Sequence, residues 1–332
     1  MSETREKIVV IGSNSFSGAS FVAHCLSLGI ETLGISRSPE PNRVFLPYKE
    51  VQEAKFKFYQ LDLNRDLDKI IEVIRDFEPD YVVNFAAQGM VAESWNYPED
   101  WFQTNTVANV KLHDQLRRCE FIKKYIHIST PEVYGACEGL VKENVSYSPS
   151  TPYAVSRAAA DMSLMSFYKA YNFPVVFTRA ANVYGPGQQL YRIIPRTILY
   201  FLLGKKLQLH GGGHSVRSFI HIRDVADGTL RVARTAANGE IFHFSTSENI
   251  SIRSLVEIIS AQMEVSFADN VEVIGERLGK DAAYLLDSSK AKEILGWEDR
   301  ISLEEGLGET IKWVKNNLET LEQQTFDYIH KK

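Results

Sequence analysis

Short apolar runs alternate with longer amphipathic stretches through the first half of the chain, and this rhythm limits the possible folds more than any other feature. Strands joined by helical crossovers form a parallel sheet with helices on both faces. The runs at 8–11 and 81–83 are continuously apolar, as expected of strands buried on both sides. The sequence therefore predicts an α/β fold with a doubly wound parallel sheet. The predicted strands are 7–11, 31–36, 56–61, 81–85, 125–129 and 175–179.

The rhythm loosens after about residue 185, where loops containing Gly and Pro separate shorter elements. We predict a main domain over 1–185, to which a segment around 218–246 returns, and a smaller α/β lobe at the C-terminal side over 186–332. A polar tail, expected to be mobile, follows the last helix. The predicted elements of this part are strands 206–210 and 218–222 and helices 225–234, 252–263 and 303–318.

Composition narrows the class of protein. The 332 residues suffice for a large core, and 44% hydrophobic with 24% charged residues is ordinary for a globular protein. A net charge of -5 argues against a general nucleic-acid binder but leaves room for a local basic pocket. The three cysteines lack paired spacing, no apolar run approaches membrane-spanning length, and residues 1–7 are polar. We expect a cytoplasmic protein without a disulfide, metal site, membrane span or nucleic-acid partner.

A glycine-containing loop, residues 12–18, connects the first strand to the first helix. Such glycines let the backbone approach a pyrophosphate at the positive helix N-terminus. Ser15 stands where the three-glycine form has its middle glycine, so a plain strand-to-helix turn is the alternative. Its place at the start of the βαβ series favours a Rossmann-like dinucleotide-binding domain. The predicted cofactor contacts are Gly12, Asn14, Ser15, Phe16, Ser17 and Gly18, then Asp62 and Leu63 after the third strand and Ala86, Ala87 and Gln88 after the fourth.

The second strand ends in Ser36-Arg37-Ser38, where an NAD site normally presents a carboxylate to the adenosine ribose. A guanidinium beside small hydroxyl residues is suited to a 2′-phosphate. The sequence therefore favours NADP over NAD and adds Arg37 to the cofactor contacts. The alternative is a solvated loop arginine.

The fifth strand leads into Ser129-Thr130-Pro131-Glu132, which places hydroxyl and carboxylate groups at its carboxyl end. Tyr153 and Arg157 follow, four residues apart on a predicted helix and hence on one face. A cation beside a phenol stabilises the phenolate, the form that acts as a general base. Thr130 is placed to hydrogen-bond the substrate oxygen from which this base removes a proton. This arrangement predicts a redox site.

Taken together, these motifs resemble those of the extended short-chain dehydrogenase/reductases, the NAD(P)-dependent epimerase/dehydratase family. Within it, the Thr-x-Glu-Val-Tyr-Gly element is most similar to that of nucleotide-sugar 4,6-dehydratases. The resemblance covers nearly the whole chain. The segments that carry it are 130–135, 150–157, 179–186, 194–196, 217–225 and 287–290.

That resemblance implies a mechanism, a substrate class and an assembly. Tyr153 removes the proton of the sugar 4-hydroxyl during C4 oxidation, Glu132 removes the C5 proton, and loss of water from C6 leads to a 4-keto-6-deoxy sugar. The substrate is a nucleotide-diphosphate sugar, and Tyr153 and Arg157 are also expected to contact the cofactor. Residues 1–185 are then the NAD(P)-binding Rossmann domain and 186–332 mainly the nucleotide-sugar-binding lobe. A homodimer through helices at about 98–118 and 153–171 is also implied.

Departures from the family pattern leave other functions open. Pro131 occupies a position where many dehydratases keep a carboxylic acid, and Arg157 replaces the usual lysine. An epimerase or decarboxylase acting through the same 4-keto intermediate is one alternative. An inactive sugar-nucleotide-binding protein, a sensor or scaffold, is the other, for which Ser15 is a further oddity.

The family pattern also implies substrate contacts in the loops. Polar and basic groups there are expected to bind the diphosphate, with surface ion pairs as the alternative for the arginines. Gln88 and Ser94 are expected near the hexose, although helix capping or loop hydrogen bonding explains them equally well. The expected contacts to the nucleotide diphosphate are Asn182, Arg192, Arg217 and Arg277.

Overall fold

Seven parallel strands form the central sheet of the computed structural model, which describes residues 6–52, 54–137, 139–275 and 285–331. Their spatial order is β7-β6-β5-β4-β1-β2-β3, which confirms the predicted doubly wound α/β fold. The order reverses between β1 and β4, and ligands of such sheets bind at the carboxyl ends beside this switch point. The strands are β1 (Lys7–Ile11), β2 (Glu31–Ser36), β3 (Phe56–Gln60), β4 (Tyr81–Asn84), β5 (Lys124–Ile128), β6 (Val175–Ala180) and β7 (Ile241–Phe244).

Helices cover both faces of this sheet. Side chains of β1 alternate between two apolar cores: Ile8 packs with α1 and α7, and Val9 packs with α2, α4 and α5. No helix in the described part of the chain is long and apolar enough to span a bilayer. The helices are α1 (Phe16–Ser27), α2 (Leu67–Phe77), α3 (Pro98–Phe102), α4 (Asn109–Leu116), α5 (Pro152–Tyr171), α6 (Ile193–Leu202), α7 (Ile222–Thr235), α8 (Ile252–Gln262), α9 (Phe267–Asn270), α10 (Ser289–Leu295), α11 (Leu303–Asn316) and α12 (Leu318–Leu321).

A smaller lobe packs around a third core formed by α6, α8 and α11, with Ile198, Leu255 and Leu307 at its centre. Short two-stranded pairings accompany it. These pair Leu140–Val141 with Leu285–Leu286, Asn182–Tyr184 with Phe219–His221, Leu207–His210 with Val271–Ile274, and Val216–Arg217 with Ile250–Ser251.

The chain returns to the main sheet between α6 and α8. Helix α7 packs against α1, and β7 pairs in parallel with β6, with Phe242 opposite Thr178. Strand β7 and helix α7 therefore extend the main sheet and its helical layer, although in sequence they follow α6, the first helix of the smaller lobe. The six strands predicted for the first half lie within one residue of the observed ones, whereas β7 was not among the predicted strands.

The C-terminal tail, which the sequence predicts to be mobile, packs against both parts of the molecule. Asp327 pairs with Arg196 of α6 at 2.8 Å. The ring of His330 lies nearly parallel to the rings of Tyr97 and Trp101, with centroids 4.8 and 5.0 Å away. Aromatic stacking therefore holds a segment that its polar composition alone would leave free.

Candidate active site

The loop after β1 turns sharply into α1. Gly12 has a φ of +84°, and a Cβ there would lie 2.6 Å from the backbone nitrogen of Ala86 in the loop after β4. A side chain on Gly18 would clash with the Gly12 carbonyl oxygen. Phe16 and Ser17 are the first residues of α1, so their N–H groups have no acceptor within the helix. This backbone fits the pyrophosphate of a dinucleotide, which needs close approach and N–H donors.

Ser15 caps α1. Its hydroxyl donates to the Gly12 carbonyl at 2.7 Å and accepts from the Gly18 N–H at 3.1 Å. Its φ of -73° is accessible to any residue. The position therefore needs a cap and not the conformational freedom of glycine, which explains the missing middle glycine. Phe16, by contrast, points its ring into the core beneath the sheet.

The loop after β2 is tied to the glycine loop and to the loop after β4. The Asn14 amide donates to the Ser38 carbonyl at 3.1 Å, and its backbone N–H donates to the Ser36 hydroxyl at 3.0 Å. The Arg37 guanidinium donates to Oε1 of Gln88 at 3.4 Å. The structure thus brings Asn14, Arg37 and Gln88 together at the carboxyl edge of the sheet.

The other predicted cofactor residues border the same edge. The carboxylate of Asp62 accepts from the Asn64 N–H at 2.9 Å and shapes the loop after β3, in which Leu63 is buried. The Ala86 N–H is held by the side chain of Asn84 at 2.9 Å, and Ala87 is exposed. A ligand at this edge would therefore contact backbone groups more than side chains.

The turn after β5 carries Thr130 and Glu132. The Thr130 hydroxyl accepts from the Glu132 N–H at 3.3 Å and caps the single helical turn Pro131–Tyr134. Its own proton stays available for a substrate oxygen. Pro131 is buried at the first position of that turn, where its fixed φ is favourable. Its role in the structure is to set the turn that presents Glu132.

Helix α5 starts beside this turn. Thr151 caps it by accepting from the Ala154 N–H at 3.2 Å, and Tyr153 lies half-buried in the first turn. Arg157 is only 2% exposed, and its guanidinium donates to the carbonyl of Ile128, the last residue of β5. This contact joins the helix that carries the predicted base and cation to the strand that leads into Thr130.

A buried polar network centred on Asp161, one helical turn beyond Arg157, was not predicted. One carboxylate oxygen accepts from Ser129 at 2.6 Å and Arg179 at 2.8 Å, and the other lies 3.4 Å from Nε2 of His127. Burial alone would raise the pKa of Asp161, but the neighbouring His127 and the Arg179 charge outweigh burial and hold it well below its usual range. Asp161 is therefore an ionised carboxylate that ties α5 to β5 and β6.

The network continues across the sheet to β7. Arg179 also donates to the hydroxyls of Tyr134 and Tyr147, and the Tyr134 hydroxyl lies 2.7 Å from Nε2 of His243. Burial lowers the pKa of His243 to about 3, so this histidine is neutral. The available sequence signal was the occurrence of His127, Arg179 and His243 inside strands that otherwise read as apolar.

Asn105 is a second residue that sequence reasoning missed. It is fully buried in the π-helical segment Gln103–Ala108 between α3 and α4. Its side chain exchanges hydrogen bonds with the backbone of Gln88 at 2.7 and 3.0 Å and donates to the Ser156 hydroxyl at 3.0 Å. Such π-helical turns often occur at functional sites. Asn105 here links the Gln88 loop to helix α5.

The predicted substrate contacts have structural partners of their own. The Asn182 amide donates to the Ser218 carbonyl at 3.1 Å, and the guanidinium of Arg217 donates to the Val216 carbonyl at 2.8 Å. Arg192 is exposed and lies over the ring of Tyr191, and Ser94 is buried and donates to the Val91 carbonyl at 2.6 Å. Loop hydrogen bonding therefore accounts for Ser94 in this structure.

Two further points concern residues outside these contacts. Arg277 falls outside the described residues. Where side chains are described, no group of three or more His, Cys, Asp or Glu residues is arranged to hold a metal ion.

Comparison with known proteins agrees with this geometry. The sequence profile of the family described as GDP-mannose 4,6 dehydratase matches residues 9–310. The chain belongs to this family. Members of the GDP-mannose 4,6-dehydratase family are extended short-chain dehydrogenase/reductases, the group that the motifs indicated.

Proteins similar to this chain include dehydratases and epimerases. The chain is 28% identical to the dTDP-glucose 4,6-dehydratase of Xanthomonas campestris over 93% of each sequence. Its fold matches that of the dTDP-glucose 4,6-dehydratase DesIV of Streptomyces venezuelae, solved with NAD bound, with a TM-score of 0.88, 27% identity and coverage of 95% of this chain and 99% of DesIV. A UDP-glucose 4-epimerase of Thermotoga maritima matches with a TM-score of 0.84, 26% identity and coverage of 94% and 99%.

Proposed function

We propose that this GDP-mannose 4,6-dehydratase family member is a nucleotide-sugar 4,6-dehydratase that converts an NDP-hexose to its 4-keto-6-deoxy derivative. One observation carries the proposal. The helix that bears Tyr153 is locked to the strand end that bears Thr130 and Glu132, through Asp161 to Ser129 at 2.6 Å and Arg157 to the Ile128 carbonyl. A base for the 4-hydroxyl and a carboxylate for the C5 proton are thereby held on adjoining elements.

The residues divide the chemistry between them. Tyr153 accepts the proton of the 4-hydroxyl, with the Arg157 charge supporting the phenolate, and Thr130 donates a hydrogen bond to the same oxygen. Bound NAD(P) would take a hydride from C4 and later return it to C6. The resulting 4-ketone acidifies the C5 proton, which Glu132 removes, and the C6 hydroxyl leaves as water.

The leaving hydroxyl needs a proton, and Pro131 has none to give. We assign that proton to Glu132, which has just taken one from C5 and lies on the same turn as Pro131. Glu132 then takes a proton from solvent and delivers it to C5 as the hydride returns to C6, while Tyr153 releases the proton of the 4-hydroxyl, so protons balance without a further residue. Substrate held through its remote diphosphate, by Asn182, Arg192, Arg217 and Arg277, keeps the hexose in place between these steps.

NADP is the favoured form of the cofactor. Arg37 and Ser38 follow β2, and the nearest carboxylate in this loop, Glu40, is engaged with Tyr48 and Lys49 at 2.8 Å each. This carboxylate is thereby drawn away from a ribose diol, the group that acidic residues bind in NAD sites. The Arg37 guanidinium and the Ser38 hydroxyl are donors that suit a 2′-phosphate.

The decisive experiment is incubation with GDP-mannose, dTDP-glucose, UDP-glucose, UDP-N-acetylglucosamine and CDP-glucose in deuterated water, followed by NMR of the products. We expect a 4-keto-6-deoxy sugar that carries deuterium at C5, because the C5 proton exchanges through Glu132. A C4 epimer that keeps its 6-hydroxyl would refute dehydration. Binding without turnover would favour a sugar-nucleotide sensor.

An NDP-sugar epimerase is the second candidate, and Pro131 is the observation that favours it. Without an acid beside Glu132 the C6 hydroxyl can be retained, and the 4-ketone can then be reduced from its other face. The similarity to a 4-epimerase shows that this fold accommodates that outcome. The same NMR experiment separates the two candidates.

We also propose a homodimer through the face formed by α3 and α5. Large apolar side chains are exposed there, including Met162 at 63% and Val155 at 38%, seven residues apart and hence on one side of α5. Phe102 and Val107 add to this face at 36 and 41% exposure. Exposed apolar patches of this kind mark association surfaces.

Met162→Lys is therefore expected to weaken the dimer more than about tenfold, because the interface would have to bury a charge. Sedimentation velocity over a range of protein concentrations measures the change. The control is Ile294→Lys on α10, a site of 57% exposure away from this face, which should leave the association unchanged. A Met162→Lys protein that dimerises like the control would rule out this interface.

A further inference from the structure

The C-terminal tail crosses from the smaller lobe to the edge of the sheet where the cofactor contacts are predicted. At one end Arg196 of α6 holds Asp327 at 2.8 Å. At the other, Nε2 of His330 donates to the Asp100 carboxylate at 2.7 Å while its ring stacks with those of Tyr97 and Trp101. Stacking with two rings and a hydrogen bond fix the backbone that immediately precedes Lys331.

Lys331 is thereby brought to the loop after β2. Its ammonium donates to the Ser38 hydroxyl at 3.2 Å, and its carbonyl accepts from the Gln88 amide. The other end of the Gln88 side chain accepts from Arg37 at 3.4 Å. Contacts therefore run from Arg37 through Gln88 and Lys331 to Ser38. They bring together one cation from the loop after β2 and one from the C-terminal tail.

The described side chains around Ser38 are suited to an anion. Two cations flank Ser38, and Glu40 is directed to Tyr48 and Lys49. Two positive groups and a hydroxyl donor form a site for a phosphomonoester dianion, whereas a neutral ribose diol would gain little from a second cation.

We propose that Lys331 is a specificity-determining residue that, with Arg37 and the Ser38 hydroxyl, binds the 2′-phosphate of NADP. This inference rests on the proposed preference for NADP. His330 acts as a positioning residue, since its stacking sets where the Lys331 ammonium lies. Cofactor selection then depends on two segments, the loop after β2 and a tail that lies more than 290 positions further along the chain.

Calorimetric titration with NADP⁺ and with NAD⁺ tests this without relying on turnover. Lys331→Gln is expected to raise the Kd for NADP⁺ about three- to tenfold, as befits one exposed charge on a phosphate, and to leave the Kd for NAD⁺ unchanged. Lys331→Arg should restore NADP⁺ binding. His330→Ala should reproduce the selective loss, and Arg37→Gln should exceed it. Lys315→Gln on α11 is the matched control, an exposed lysine outside the cluster that should alter neither constant.

The possible failures are distinguishable. A wild-type protein that prefers NAD⁺ overturns the cofactor proposal and this inference with it. A wild-type preference for NADP⁺ that Lys331→Gln leaves intact overturns the role of Lys331 alone. An equal change in both constants also overturns it, and tighter binding of both cofactors would show that the tail competes with the dinucleotide.

Discussion

Glu132→Gln is expected to lower the rate of 4-keto-6-deoxy sugar formation by about 10²- to 10⁴-fold, the range for loss of a positioned general base. The amide is nearly isosteric and keeps the capped turn after Thr130, but it neither accepts the C5 proton nor returns one to the C6 hydroxyl. Product NMR in deuterated water measures both losses at once, because deuterium should no longer enter C5.

The same variant should bind cofactor as the wild type does, since Glu132 lies on the turn after β5 and the glycine loop lies after β1. Quenching of protein fluorescence by added dinucleotide checks this. Glu120→Gln, an exposed glutamate after α4, is the control for the substitution itself. Undiminished turnover in Glu132→Gln would remove this residue from the mechanism.

Asp161→Asn is expected to destabilise the fold by about 3–5 kcal/mol, the cost of removing one partner from a buried ion pair. Asp161 and Arg179 are both fully buried, 2.8 Å apart, so the substitution leaves the guanidinium in the core without its carboxylate. The midpoint of urea denaturation measures the loss. Asp114→Asn, which breaks surface pairs with Arg117 and Arg118, should cost less than about 1 kcal/mol.

The pH dependence of stability gives an independent check of Asp161. Because its folded-state pKa is depressed, its stabilising effect is complete above the unfolded value of about 4 and is lost as pH falls towards the folded value. Asp161→Asn should therefore show a weaker loss of stability below pH of about 4 than the wild type. Equal acid sensitivity in both proteins, or a stability equal to that of Asp114→Asn, would mean that Asp161 does not carry a buried charge.

The fold was predictable because its signals are local. Each strand of the first half is an apolar run that ends in its own turn. The segments between the strands form helices that cover the sheet and bury residues such as Val9 and Val82. The strand β7 was harder to predict because its pairing with β6 joins segments more than 60 residues apart.

The candidate site was predictable only in part, for the same reason. Tyr153 and Arg157 follow from helical spacing, but the partners of Asp161 come from β5 and β6, and no local pattern announces them. The stacking of His330 with Tyr97 and Trp101 likewise joins residues that lie far apart in the sequence. Ser15 departs from the glycine pattern because helix capping, a local interaction that the pattern does not encode, determines the residue there.

The crossing of the chain between its two parts has a consequence for biosynthesis. Phe21 and Val22 of α1 share a core with Leu230 of α7, so this face of the sheet stays uncovered until some 235 residues have left the ribosome. A nascent chain or fragment that stops near residue 185 would expose that apolar face to aggregation or chaperone binding. The first 185 residues are therefore expected to mature only together with the segment that follows them.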